Sequence, residues 1–336
     1  MTALSTEWSH AMGLRVPIVN APMGGVAGGA LAAAVSRAGG LGMIGIGSAG
    51  TAAQLSAQLQ YVSGLDHPFG IGLVEWVLER EPRLLATALA ATPALLSVSF
   101  GEDFSWVRRA QDAGVATATQ VGDLRAAHRA VEAGVDVVIA RGAEGGGHGE
   151  PLVGTLPLLA SVLDELRVPV LAAGGISSGR ALAAVLAAGA SAAWLGTALS
   201  ACTESLTSDR ARGALFEAKD TDTVTTRVFD VAYGYPWPPQ VPERVLRNDF
   251  ADRWQGSEED LAVDREAREV LAANDGRLAP VDAGQGVGML TAVRSVAEVI
   301  DRLCADARSL LDRWVTPPGA SDGVESHDEV VPDGSP

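Results

Sequence analysis

The sequence predicts an α/β protein: a (β/α)8 TIM barrel carrying an additional α-rich C-terminal lid domain. Three observations predict it. Eight short apolar runs alternate with helix-forming stretches between residues 16 and 197. The runs are continuously apolar rather than alternating, as strands of a parallel sheet are when both faces are buried. Glycine-rich turns follow the strands, on the side where such a barrel gathers its ligands. Parallel strands joined through helices form right-handed βαβ units, and eight of these close on themselves. An open doubly wound sheet is the competitor. Its dinucleotide form wants G-x-G-x-x-G after the first strand, where this chain has Ala21-Pro22-Met23-Gly24-Gly25.

In chain order, residues 16–20 form the first strand and 28–38 a helix stopped by Gly39 and Gly40. Strand 41–46 precedes a helix capped by Thr51 and running to about Val62. Strand 69–74 leads to helix 81–91, with Pro82 in its first turn. Strand 94–99 is followed by helix 103–112 with Asp103 as cap, and strand 115–121 by helix 123–132. The sixth strand is 135–140, then helix 156–166. The seventh is 168–173, then helix 178–188 capped by Ser177 or Ser178, and the eighth is 191–195. Residues 181–202 carry no charge but are mostly Ala, Gly and Ser. They read as helix, turn and strand rather than as a membrane span.

The rhythm then breaks. Residues 204–219 read as helix, 221–229 as extended chain, and 233–239 as a proline-stiffened aromatic loop able to wall a pocket. An acidic helix, 258–274, presents a solvated face. A second glycine loop, 281–288, leads into helix 295–314. The expected division is a barrel over 1–205 and a lid or substrate domain over 206–318, whose 281–315 segment packs back on the barrel. An acidic tail follows at 319–336, with the composition of disordered chain.

Charge and cysteine usage exclude some functions. A net charge of -16 disfavours nucleic acid. Cys202 and Cys304 belong to no metal-ligand cluster, and no metal is expected. With no apolar leader near the N-terminus, a cytoplasmic setting is the default.

The stretch richest in chemistry follows the sixth strand: Arg141-Gly142-Ala143-Glu144-Gly145-Gly146-Gly147-His148-Gly149. Glycine lets main chain approach a ligand closely, at a cost in conformational entropy that needs a reason. His148 is a side chain suited to proton transfer near neutrality. Other unusual residues sit at strand ends: Ala21-Pro22-Met23 after the first, Gly72 in the third and Gln120 in the fifth. Gly174-Gly175 follows the seventh and Gly196-Thr197 the eighth. The last two turns fall where barrels commonly hold a phosphate.

Four of these pieces, in this order, resemble the nitronate monooxygenase family: Ala21-Pro22-Met23, residues 142–149, residues 172–176 and Leu195-Gly196-Thr197. The resemblance covers about 16–205 and returns weakly at 283–288. It implies a non-covalent FMN, with Ala21, Pro22 and Met23 against the flavin and Gly146 approaching it. Gly174, Gly175 and the run Trp194, Leu195, Gly196, Thr197 would hold the phosphate, with Gly72, Gln120 and Arg141 also in the cofactor site. His148 matches the family's active-site histidine. Two departures stand out: Gly72 replaces a usual Asn, and Arg141 a usual Gln. Arg141 could place a cation at the flavin, or turn away to Glu144 or Glu150.

The implied activity is oxidation of alkyl nitronates by O2 to a carbonyl compound and nitrite. NAD(P)H-dependent reduction of quinones or enoyl thioesters is the alternative, and flavin binding without turnover the third. A small-molecule substrate and O2 are the expected partners, nucleic acid and membrane are not, and a homodimer is allowed.

Overall fold

The computed structural model describes residues 4–273 and 276–315. Six parallel strands come first: β1 (Ile18–Asn20), β2 (Gly42–Ile46), β3 (Phe69–Val74), β4 (Leu95–Ser99), β5 (Ala116–Val121) and β6 (Val137–Arg141). A two-residue strand, β7 (Gly147–His148), branches away. β8 (Val170–Ala173) and β9 (Ala192–Leu195) complete a nearly closed barrel in the order β1-β9-β8-β6-β5-β4-β3-β2. The eight expected barrel strands are all present. The span 181–202 is shared between helix Gly179–Ala187 and β9, and no helix among the described residues is long and apolar enough to cross a membrane.

The seam between β1 and β2 carries a single bridge, Val19 to Leu41. The buried Asn20 side chain reinforces it: Oδ1 accepts from the Met43 N–H at 2.7 Å and Nδ2 donates to the Met43 carbonyl at 2.9 Å. A side-chain amide thereby satisfies main-chain groups that the three-residue β1 leaves over.

Strand residues alternate between two cores. Ile18, Ile44, Ile71 and Leu96 face the helices, while Val19, Met43, Leu95, Ile139 and Trp194 fill the barrel. Helix Glu7–Ala11 closes the end from which the strands start. Its capping residue Thr6 also donates Oγ1 to the Ser191 carbonyl, and Trp8 inserts into the inner core. Replacing Trp8 by Ala is expected to cost about 3–5 kcal/mol of stability, read from the urea midpoint at constant m. A change below 1 kcal/mol would mean that the barrel does not depend on this plug.

Beyond the barrel, β10 (Thr223–Thr226) and β11 (Glu243–Leu246) run antiparallel, and β11 also pairs with β7, setting Glu243 opposite His148. A small core of its own gathers Phe229, Val245, Phe250, Trp254, Leu261 and Leu271. Helix Val296–Val315 returns to the barrel, where Gly179 leaves room for Asp306: a Cβ at 179 would lie 2.3 Å from the Asp306 Cβ.

Several elements differ from expectation. A helix, Glu75–Arg80, directly follows β3, and the next spans Arg83–Ala90. Asp103 precedes its helix, Ser105–Asp112, and accepts from the Ser105 N–H, the helix's first amide, rather than from its second or third. The helix expected at 204–219 is Asp209–Glu217, capped by Ser208. The extended chain expected to 229 ends at Thr226, and Val228–Tyr233 is helical. The acidic helix is two, Glu258–Val263 and Arg265–Ala273, broken at Asp264 and each burying one leucine. Asn274 and the acidic tail lie outside the described residues.

Candidate active site

The glycine loop after β6 is wrapped around one side chain. By the alternation of β6, Arg141 points into the barrel mouth, where its guanidinium folds back beneath the loop. Nη2 donates to the carbonyls of Gly145 and Gly147 at 2.9 Å and of Gly146 at 3.3 Å. A Cβ at Gly149 would stand 2.4 Å from the guanidinium carbon, and one at Gly145 2.9 Å from Nε. The guanidinium thus occupies space that side chains at 145 and 149 would need. Burial, with Arg244 nearby, pulls its pKa down to about 10, so it remains a cation at neutral pH. It pairs with neither Glu144 nor Glu150, and it does not line the cavity described below. Glu144 instead accepts from the Thr155 N–H and hydroxyl, both at 2.9 Å, at the start of helix Thr155–Glu165.

Above the strand ends lies a cavity of about 520 Å³, within the usual range for small-molecule sites. Nine of the expected residues line it: Ala21, Pro22, Met23, Gly72, Gln120, Gly146, His148, Gly196 and Thr197. Five do not. Arg141 lies behind the loop. Trp194 points into the barrel core with its Nε1 unpartnered, and Leu195 packs outward under the helices. Gly174 and Gly175 both have positive φ. Gly175 faces Glu144, and its carbonyl lies 3.2 Å from where a Cβ at Gly286 would stand.

Main chain builds much of the floor. A Cβ at Gly45 would meet the Pro22 carbonyl carbon at 2.3 Å, and one at Gly72 the Pro22 Cγ at 2.1 Å. Pro22 therefore leans into space that a side chain at 72 would fill. A Cβ at Gly146 would lie 2.5 Å from the Gly284 nitrogen, so Gly146 is held against the second glycine loop as well as facing the cavity.

His148 is fixed from three sides. β7 pairs its main chain with Glu243, its ring stacks on Trp237 at 3.5 Å and 8°, and its Nε2 meets both Asp230 oxygens at 2.9 and 3.0 Å. Trp237 is itself held, with Nε1 donating to Ser48 Oγ and Phe100 edge-on at 5.1 Å. Phe100, at the end of β4, has φ of 73°, a strained value for a non-glycine residue of the kind that concentrates at functional sites. With the hydrogen of the Asp230 contact on Nε2, Nδ1 is the nitrogen left to accept.

Asp230, Glu243 and Asp282 also line the cavity, and sequence reasoning named none of them as site residues. The aromatic loop and the second glycine loop did point to their neighbourhood. Donor atoms of His148, Asp230 and Glu243 lie within 4.8 Å of one another. Burial pushes the Glu243 carboxyl well above the usual carboxylate range, and Asp282 and Asp230 push it further. Asp282 is raised as well, by the protein packed around it although its side chain is open to the cavity, against the pull of His148. Such acids bind their protons more tightly when folded. Their contribution to stability is present below the ordinary value of 4.5 for Glu243, and is lost as pH climbs toward the folded value. Urea unfolding should therefore show stability falling as pH rises above that value, and Glu243→Gln should remove part of the fall. Parallel pH profiles for the two proteins would contradict the buried neutral acid. Cys202 and Cys304 are buried thiols pushed up to about 12 and about 11, and neither lines the cavity.

The nitronate monooxygenase family matches residues 6–84 and 81–306. A nitronate monooxygenase of Paraburkholderia phytofirmans is 32% identical over 264 residues, 65% of this chain and 72% of that protein. The (3aS,4S,5R,7aS)-5-hydroxy-7a-methyl-1-oxo-octahydro-1H-indene-4-carboxyl-CoA dehydrogenase of Rhodococcus jostii is 31% identical over 268 residues, 76% of this chain and 70% of that protein. A solved nitroalkane oxidase from Streptomyces ansochromogenes superimposes with a TM-score of 0.77 at 29% identity, covering 91% of this chain and 99% of that one.

Proposed function

The chain belongs to the nitronate monooxygenase family and is an oxidoreductase, and from that premise we propose that it oxidises alkyl nitronates or their parent nitroalkanes. FMN would be the cofactor and O2 the final oxidant, giving a carbonyl compound and nitrite. The observation that carries this reading is the His148–Asp230 pair set on a cavity floored by bare main chain.

The residues present fit a flat, phosphate-bearing ring system. Ala21, Pro22, Met23 and Gly146 offer main chain and small side chains to the ring, and Gln120 a polar contact. Since no Lys or Arg lines the cavity among the described residues, the phosphate would fall to main-chain N–H groups at Gly196 and Thr197. Gly174, Gly175, Trp194, Leu195 and Arg141 would support these groups from behind. When bound, the flavin would supply the electron acceptor. Residues 206–315 would serve as the lid, since they contribute Asp230, Trp237, Glu243 and Asp282 to the cavity.

Asp230 holds the Nε2 hydrogen and Trp237 holds the ring plane, so His148 presents one accepting nitrogen in one orientation. That arrangement suits removal of the acidic proton next to a nitro group. A preformed nitronate has already lost that proton.

Similarity to a CoA-thioester dehydrogenase favours a second reading, reduction of a quinone or an enoyl thioester with NAD(P)H. Among the described residues no Lys or Arg lines the cavity, which weighs against a CoA tail there. Nitrite release from propane 2-nitronate in air, with slow bleaching of the visible band by NADPH, supports the first reading. Fast anaerobic bleaching by NADH or NADPH without nitrite overturns it in favour of the second.

A further inference from the structure

We propose that the substrate-binding end of the cavity recognises a positively charged group, so that the preferred substrate is a nitro compound bearing an ammonium. The identity of the nitro group rests on the proposed function; the charge preference rests on the cavity itself.

Three carboxylate side chains, Asp230, Glu243 and Asp282, line one part of the cavity, and among the described residues no Lys or Arg lines any part of it. Asp230 is engaged by His148. Glu243 is different. It is 5% exposed and its Oε1 is fully enclosed with no hydrogen-bond partner. A buried acceptor left unpaired is costly unless something donates to it, and Glu243 is part of the cavity wall. The groups facing Glu243 are His148 on β7, Asp230 and Tyr233 on the helix behind, and Asp282 on the second glycine loop. Arg141, the buried cation whose charge reaches Asp282, directs its donors to loop carbonyls rather than to these acids.

Aromatic rings stand on the same side. Tyr233 and Tyr235 lie with centroids 5.8 Å apart, and Trp237 carries the His148 ring. Ring faces and carboxylates together form the environment that attracts an organic cation. An ammonium would give the Glu243 oxygens a donor and draw off the proton that burial now keeps there. A carboxylate or phosphate in the same place would meet these acids with no Lys or Arg on the cavity to offset them.

The test is calorimetric titration of the purified holoenzyme with butylammonium, butanol and butyrate, alongside steady-state rates for 3-nitropropan-1-amine, 1-nitropropane and 3-nitropropanoate. Butylammonium should bind about tenfold more tightly than butanol, and butyrate more weakly than either. Its binding heat should vary with the ionisation enthalpy of the buffer as a proton is released. Glu243→Gln should lose the preference while keeping its flavin spectrum and a cooperative thermal transition, with Asp282→Asn as the second variant should the first fail to fold. Equal binding of the three probes, a preference for butyrate, or tight MnCl2 binding without butylammonium binding would overturn the inference. Should no nitro compound be turned over while butylammonium still binds selectively, the proposed reaction fails and the charge preference stands.

Discussion

His148→Ala is expected to slow turnover of a neutral nitroalkane by about 10²–10⁴-fold, the usual contribution of a positioned base, while a preformed nitronate keeps its rate within about tenfold. The asymmetry follows from the geometry. Asp230 and Trp237 spend a buried carboxylate and a whole indole face on fixing one imidazole. Such an investment is explained by proton transfer and not by shape alone. Asp230 is 5% exposed and has His148 as its side-chain hydrogen-bond partner, so removing the ring also leaves a buried carboxyl without it. His148→Asn should therefore fold better than His148→Ala and be as slow on the neutral substrate. Equal losses on nitroalkane and nitronate would indicate that His148 binds rather than transfers a proton.

Gly146→Val is expected to disrupt fold and cofactor site together. The first carbon of the new side chain would lie 2.5 Å from the Gly284 nitrogen and 2.6 Å from the Ala283 carbonyl carbon. Those atoms are main chain, and Gly284 is tied to Thr197 Oγ1 at 2.9 Å, so the loop cannot yield without losing its anchor on the barrel. Overpacking of this kind costs about 1–3 kcal/mol and shifts backbone. Displacing the loop also disturbs Thr197, on the cavity wall, and Asp282, one residue from Ala283. The variant should lose stability and cofactor together, measured as thermal midpoint and visible absorbance. A stable variant with unchanged absorbance would show that the two glycine loops need not touch.

The barrel was readable because each strand is a continuous apolar run, and burial on both faces leaves no other pattern. The glycine loop was readable as a site, but its composition has a cause that spacing does not reveal. Gly145 and Gly149 make room for a guanidinium, which only the folded path of Arg141 shows. Trp194 could have been placed better: it alternates with Ala193, so an inward Trp194 belongs to the barrel core and not to a phosphate turn. Asp230, 82 residues from His148 in sequence, carries no local signal, because a carboxylate that orients a distant ring looks like any helix-face acid. Glu243 likewise reads as an ordinary strand residue until β11 pairs with β7 and sets it opposite His148. The break at Asp264 was hidden because both flanks are good helix formers.

The proposed chemistry requires a flavin to lie across bare main chain beside His148. The visible spectrum of the purified protein, read with the supernatant after heat denaturation, tests it most directly. The account predicts a yellow protein that releases FMN equimolar with the chain. A colourless protein that added FMN cannot reconstitute would contradict it.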